Sequence, residues 1–406
     1  MTTAWPTLAL EELASVQRGK FSARPRNDPR YYGGEIPFIQ TGDVANGAGR
    51  VRSYSQTLNA DGLSVSKLFP KGSLVVTIAA NIGDVAEVAF DFACPDSLVV
   101  VQANEGTDSK WLQYSLESKK ALLDSLAPQN AQKNINLEVL RRLPLDVPPL
   151  EEQKRIAGGI KTWDTAIETT ERLIAAKKRY YTHELSRLIS RGQHPRTHVG
   201  AVVREVSERN RCGHLLRLGD LLTESREPDT EQNPAKRLTV RLHLQGVEAR
   251  PARGTESDGA TTFYRRRAGQ LIYGKQNIFR GAIGIIPHEL DGYCSTQDLP
   301  AFNVDATVNA EWLYYWLSRE NFYKSLESLA SGSGSKRLHP EEFFNIKIEL
   351  PDLATQTAIA RYLNALREEI GLLGKSLDAL KRQKRGLMQK LLTGKWRIQM
   401  EEGVPV

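Results

Sequence analysis

The chain has 406 residues, with 55 Lys and Arg against 48 Asp and Glu for a formal net charge of +7. That length admits two or three domains with cores of their own, and the basic balance suits a polyanionic partner. The sequence offers no apolar run of about 18 residues, no basic-then-apolar leader at Met1 to Trp5, and only three scattered cysteines, Cys94, Cys212 and Cys294, so the expectation is a cytoplasmic protein with no membrane partner and no disulfide framework.

In chain order, Trp5 to Val16 reads as a short strand or turn followed by a helix. A basic loop, Arg18 to Asn27, comes next. Apolar runs at Ile36 to Gln40, Ser73 to Ile78, Val85 to Phe90 and Leu98 to Val101, divided by Gly, Asn and Asp, predict strands. Trp111 to Leu126 predicts a helix, and Pro148-Pro149 halts local structure before a long helical pattern that ends at Gly192. After a polar linker the first plan returns. Leu216 to Leu221 echoes Leu8 to Leu13, Gly269 to Tyr273 echoes Gly72 to Val76, Cys294 echoes Cys94, and Trp312 to Tyr315 echoes Trp111 to Tyr114. Strands mixed with helices indicate an α+β or mixed domain, present twice.

The long helical pattern is also duplicated. With Gln153 placed on Gln356, Ile156, Ile160, Trp163, Ile167 and Ile174 fall on Ile359, Leu363, Leu366, Ile370 and Leu377, and each copy closes on a glycine, Gly192 and Gly394. In the second copy Ile359, Leu363, Leu366, Ile370, Leu373, Leu377, Leu380, Lys384, Leu387 and Leu391 alternate steps of four and three, the spacing of a coiled-coil seam. The first copy is looser: Thr170, Lys177 and Glu184 stand where the second has leucines, and Tyr181 stands on Lys384. Each copy offers about forty residues, roughly 60 Å of helix. A stripe that narrow needs a partner, and the simplest partner is the other copy.

Pro148-Pro149-Leu150-Glu151-Glu152-Gln153-Lys154-Arg155-Ile156, Leu391-Leu392-Thr393-Gly394-Lys395, the Trp5 opening and the two half repeats together resemble a specificity subunit of a type I restriction-modification enzyme. The second copy departs from the motif, with Asp352-Leu353-Ala354-Thr355-Gln356 in place of Pro149 to Gln153. The resemblance implies an α+β fold: two similar mixed α/β target-recognition domains separated by two long α-helices that form an antiparallel coiled coil. The expected divisions are 1–146 and 215–349 for the domains, 147–192 and 350–397 for the helices, 193–214 for the linker and 398–406 for a tail. It further implies a subunit that reads a bipartite asymmetric site in double-stranded DNA, one domain per half-site, with the helices setting the spacer. Chemistry would belong to partners: two methyltransferase subunits with S-adenosylmethionine, and restriction-translocase subunits with ATP and Mg. No cofactor is expected on this chain.

Base reading needs Arg or Lys for guanine, Asn or Gln for adenine, and cations or amides for phosphate. Candidates of that character are Arg18, Lys20, Arg24, Arg26 and Asn27, with Gln129, Asn130, Gln132, Lys133 and Asn134, in the first domain. In the second they are Arg265, Arg266 and Arg267, then Lys275, Gln276 and Asn277, then Lys336 and Arg337 after a Gly-Ser run. Each can equally be a solvated surface group. Asp96 with Glu117 and Lys119 has the loose spacing of a Mg-dependent nuclease acting alone, but the second half lacks it, with Thr296, Ser318 and Glu320 there. Gly374-Lys375-Ser376 lies inside the heptads, and His194, His198, Cys212 and His214 have an unusual spacing for zinc. The expectation is therefore no catalytic residue and no metal; a Mg-dependent endonuclease acting alone and a coiled-coil scaffold that binds no DNA stay open as alternatives.

Overall fold

The computed structural model describes residues 5–127, 134–191, 214–231, 233–251, 262–332 and 334–398. It divides into two compact units, Met1–Glu171 with Lys375–Val406, and Arg172–Gly374. Both cuts fall inside the long helices, Leu150–Arg191 and Leu353–Leu391. Each unit is thus a globular lobe plus half of each helix, a division different from one drawn where the lobes meet the helices.

Burial accounts for that division. In the first lobe, Ala14–Arg18, Leu98–Ala103, Leu74–Thr77, Val85–Val88 and Arg50–Val51 form a five-stranded sheet in that spatial order. A smaller sheet orders Gln56–Leu58, Tyr32–Phe38, Phe92–Ala93 and Leu68–Phe69. Thr7–Ala9 pairs with Pro144–Asp146 and closes the lobe just before the prolines. Val76, Val101, Trp111 and Leu112 then share one core with Ile156 and Ile160 of the first long helix and Met388, Leu391 and Leu392 of the second. The second lobe repeats the scheme. Its sheet orders Leu222–Ser225, Ala301–Val304, Leu271–Tyr273 and Ile283–Ile285. Its core joins Trp312, Leu313 and Tyr315 to Ile359 and Leu363, and to Leu185, Leu188 and Ile189. The helix ends are therefore structural members of the lobes.

The helices run antiparallel in each unit, since contacts that climb one descend the other. In the first unit Lys384 pairs with Asp164 at 2.6 Å and Lys381 with Glu171 at 2.7 Å. In the second, Lys177 pairs with Glu369 at 2.7 Å and the Tyr180 and Tyr362 hydroxyls lie 2.9 Å apart. Trp163, Ile167, Ile174, Leu366, Ile370, Leu373, Leu377 and Leu380 are only partly buried, as expected where two helices alone make the seam. The polar interruptions are paired. Lys177 finds Glu369, Lys384 finds Asp164 and lies 5.2 Å from the Tyr114 ring, and buried Glu184 is held by Arg187 at 2.6 Å. Burial, with the hydrogen bond to Asp164, pushes the Tyr114 hydroxyl far above its usual range.

One joint is common to both units. Gln153, 2% exposed, donates to the Pro148 carbonyl at 2.9 Å and accepts from the Asp108 amide at 2.8 Å. Gln356, fully buried, donates to the Pro351 carbonyl at 2.7 Å and accepts from the Asn309 amide at 2.8 Å. Asp108 and Asn309 are in turn N-caps, accepting from Trp111 N and Trp312 N. A buried amide thus ties the entry of each long helix to the start of the lobe helix beneath it. Replacing Gln153 or Gln356 by Ala strands a buried N–H and C=O and is expected to cost about 2 kcal/mol each; chemical denaturation of the full chain should show it, while exposed Gln389→Ala leaves the midpoint unchanged.

Candidate nucleic-acid interface

The strands that cross the middle of each lobe end at one repeated arrangement of three segments. In the first lobe Ile78 N donates to Ser97 O at 3.1 Å, and Ile78 O accepts from Ile135 N at 2.9 Å. In the second, Lys275 N donates to Asp298 O at 2.9 Å and Lys275 O accepts from Leu338 N at 3.0 Å. Asn134 and Arg337, each one residue before the bonded amide, therefore hold the same slot. The backbone is shared while the side chains differ.

On the first lobe, the predicted basic loop comes to this edge. Arg18 Nε donates to the Asp96 carbonyl at 2.6 Å, and Arg26 pairs with the Asp96 carboxylate at 2.8 Å, half exposed. Lys20 and Asn27 are exposed, whereas Arg24 turns back onto the Ala23 carbonyl at 2.7 Å. Asn134 is exposed and bridges Ala79. Gln129, Asn130, Gln132 and Lys133 lie outside the described residues, as do His194, His198 and Cys212. Beside Arg26 and Asn27 is a cavity of about 430 Å³ floored by Phe21 and Phe38 and edged by Gln40 and Gln56. Neither glutamine stands out in the sequence, since Gln40 ends an apolar strand pattern and Gln56 starts one; their only signal is an amide at a strand end.

On the second lobe the structure separates the arginine run by the period of a strand end. Arg265, partly buried, pairs with Glu231 at 2.9 Å, and the exposed Arg267 pairs with Glu227 at 2.7 Å. Arg266 is 1% exposed and does not belong to a DNA-facing set. Its guanidinium donates to Ser225 O at 2.6 Å, Ser295 Oγ at 2.7 Å and Leu299 O at 3.1 Å, which engages each of its three nitrogens inside the lobe. Burial lowers its pKa to about 10, so it stays charged at neutral pH. Lys275, Gln276 and Arg337, distant in sequence, do meet. Arg337 lies 3.7 Å from the Asp298 carboxylate, and the Gln276 amide, turned with its oxygen toward the guanidinium, accepts from it at 2.6 Å. Asn277 is half-buried at a tight turn, where its backbone N–H donates to Gly274 O and its backbone carbonyl accepts from Ala282 N. Lys336 reaches Glu327 at 3.1 Å, and paired bonds between Ser331 and Arg337 pin both ends of the Gly-Ser run. Exposed ion pairs of this kind contribute about 0 to 1 kcal/mol, so their cations can be transferred to phosphate at little expense.

The carboxylates of the nuclease-like spacing have other partners. Asp96 holds Arg26, while Glu117 accepts from Gln113 at 2.8 Å and lies 3.9 Å from Lys384, with burial raising its pKa. Gly374-Lys375-Ser376 lies within the second long helix, as the heptads require. The residues that carry the family resemblance, by contrast, converge. Trp5 Nε1 donates to Glu152 at 3.1 Å, Arg397 pairs with Glu152 at 3.0 Å and stacks 4.3 Å from the Trp5 ring, and the indole packs against Gly394. A side chain at Gly394, where φ is +67°, would be both strained and crowded.

The pattern of the type I restriction modification DNA specificity domain matches residues 3–178 and 273–382, well over half of the chain. The chain belongs to this family. Among specificity subunits, it is 24% identical over 311 residues to that of the type I restriction enzyme MjaVIII from Methanocaldococcus jannaschii, covering 73% of this chain and 72% of that one. A putative type I specificity subunit of Mycoplasma pneumoniae is 30% identical over 122 residues, 28% of this chain and 32% of that one. In fold, the S subunit of M. genitalium superposes with a TM-score of 0.56 at 16% identity over 98% of both chains. A chain from a structure on complex assembly and conformational transition of the type I R-M system gives 0.61 at 17% identity, covering 98% of this chain and 99% of that one. The fold of a specificity subunit, mixed lobes with an antiparallel helix pair, is thus established for this chain.

Within this specificity subunit, Arg266→Ala is expected to cost about 3 kcal/mol, because three buried acceptors lose a charged donor. The exposed Arg267→Ala should cost less than about 1 kcal/mol. Thermal or denaturant unfolding of the two variants distinguishes the structural arginine from its surface neighbour.

Proposed function

We propose that this chain gives a type I restriction-modification complex its sequence specificity. Each lobe reads one half of a bipartite, asymmetric site in double-stranded DNA, and the helix pair sets the unread spacer between them. The observation that carries this reading is the repeated three-segment edge. One backbone frame presents Asn134 in the first lobe, where Arg18 and Arg26 reach it through Asp96, and Lys275, Gln276 and Arg337 in the second. The same frame with unlike readers suits two unlike half-sites, since groove position follows the backbone while base preference follows the side chains.

Catalysis would rest with partner subunits: methyltransferases that use S-adenosylmethionine on an adenine turned out of the duplex, and translocase-nucleases that use ATP and Mg. The separate engagement of Asp96 and Glu117 argues against a nuclease site on this chain. We take 1–146 and 215–349 as the reading domains, consistent with strand pairing that closes each lobe before its long helix.

Mapping adenine methylation across the genome with and without this protein is expected to reveal a split motif that depends on it. Exchange of residues 1–146 for the corresponding domain of another specificity subunit should change one half of the motif. A change in both halves, or in neither, would refute one-lobe, one-half reading. Lys336→Ala should weaken binding by the assembled complex about equally for all sequences and reduce the salt dependence by roughly one phosphate contact, read from titrations at several salt concentrations.

A further inference from the structure

We infer that Gln40 and Gln56 form the adenine-reading element of the first lobe. This rests on the proposed DNA-reading function and assigns part of it to two residues. Gln40 Nε2 donates to Gln56 Oε1 at 3.2 Å, linking the two amides at the rim of the cavity beside Arg26. Among the described residues, the side-chain oxygen Oε1 of Gln40 has no hydrogen-bond partner, and neither has Nε2 of Gln56. The pair therefore presents an acceptor and donors together. In the major groove adenine offers the matching combination, the N7 acceptor beside the N6 donor. Guanine shows two acceptors, N7 and O6, one of which would face the Gln40 oxygen.

The amides are held where a reader must be. Gln56 lies opposite Phe38 in a paired register, and its side chain is exposed. Gln40 follows the same strand, with its backbone N–H on the Asp43 carboxylate at 2.8 Å. That carboxylate also accepts from Ser55 Oγ at 3.3 Å, so one side chain fixes both segments. Beneath them Phe21 and Phe38 pack with centroids 4.9 Å apart and are almost fully buried, which gives the rim a stiff floor. Arg26, oriented by Asp96, also lines the cavity, with donors suited to an adjacent guanine or phosphate.

The test replaces the chromosomal copy with Gln56→Ala, Gln40→Ala or Gln56→Arg and maps methylated adenines in each strain. Either alanine variant should relax a single adenine position in one half-site, with discrimination there falling on the order of ten- to a hundredfold. Gln56→Arg should move the preference at that position from adenine to guanine, a gain that misfolding cannot imitate. If the parent strain shows a split motif and all three variants keep it unchanged, the assignment of the glutamines fails while the reading function stands. If the parent strain shows no split motif dependent on this chain, the reading function itself fails.

Discussion

The buried amides of Gln153 and Gln356 set the relation between each long helix and its lobe. Each accepts from the backbone of a lobe residue and donates to the carbonyl of a proline at the head of its own helix. Both groups are enclosed, so neither can exchange its partner for water, and an unmade bond would leave a polar group without compensation. The entry angle of the helix is therefore coupled to the N-cap of the lobe helix, at Asp108 and at Asn309. A DNA-reading subunit needs that coupling, because a reader tilted on its support would lose register with base edges.

Away from the lobes the helix pair depends on a different mixture. Two helices cannot enclose a seam by themselves, and the middle positions remain partly accessible. The specific pairs Lys177–Glu369 and Asp164–Lys384 supply register in place of complete burial. Quasi-equivalent positions have diverged without loss of function as joints. Asp164 accepts from the Tyr114 hydroxyl at 2.5 Å, whereas Arg367, its counterpart in the second copy, lies 5.9 Å from the ring of Tyr315.

Much of this architecture could be read from residues alone, because the duplicated helix carries a periodic signal over some forty positions. Gln153 on Gln356 aligned the repeats, and the same two residues prove to be the joints. The globular edge was less legible. Lys275, Gln276 and Arg337 are brought together by strand pairing across more than fifty residues, a long-range effect that local patterns do not encode. Arg266 illustrates the limit most clearly: in a run of three arginines composition cannot tell which one turns inward, and only the pleat at the end of Phe263–Arg265 decides it. Gln40 and Gln56 carry no local signal for the converse reason, since an amide beside an apolar run resembles an ordinary strand terminus.

The clasp of Trp5, Glu152, Gly394 and Arg397 bears on how the molecule comes into being. The second unit is continuous in sequence, whereas the first draws Met388, Leu391 and Leu392 into a core otherwise built from residues before 161. During synthesis on the ribosome, the later-made lobe can therefore finish before the earlier-made one. Part of the first lobe's apolar surface stays uncovered until the segment that carries Met388, Leu391 and Leu392 emerges to seal it.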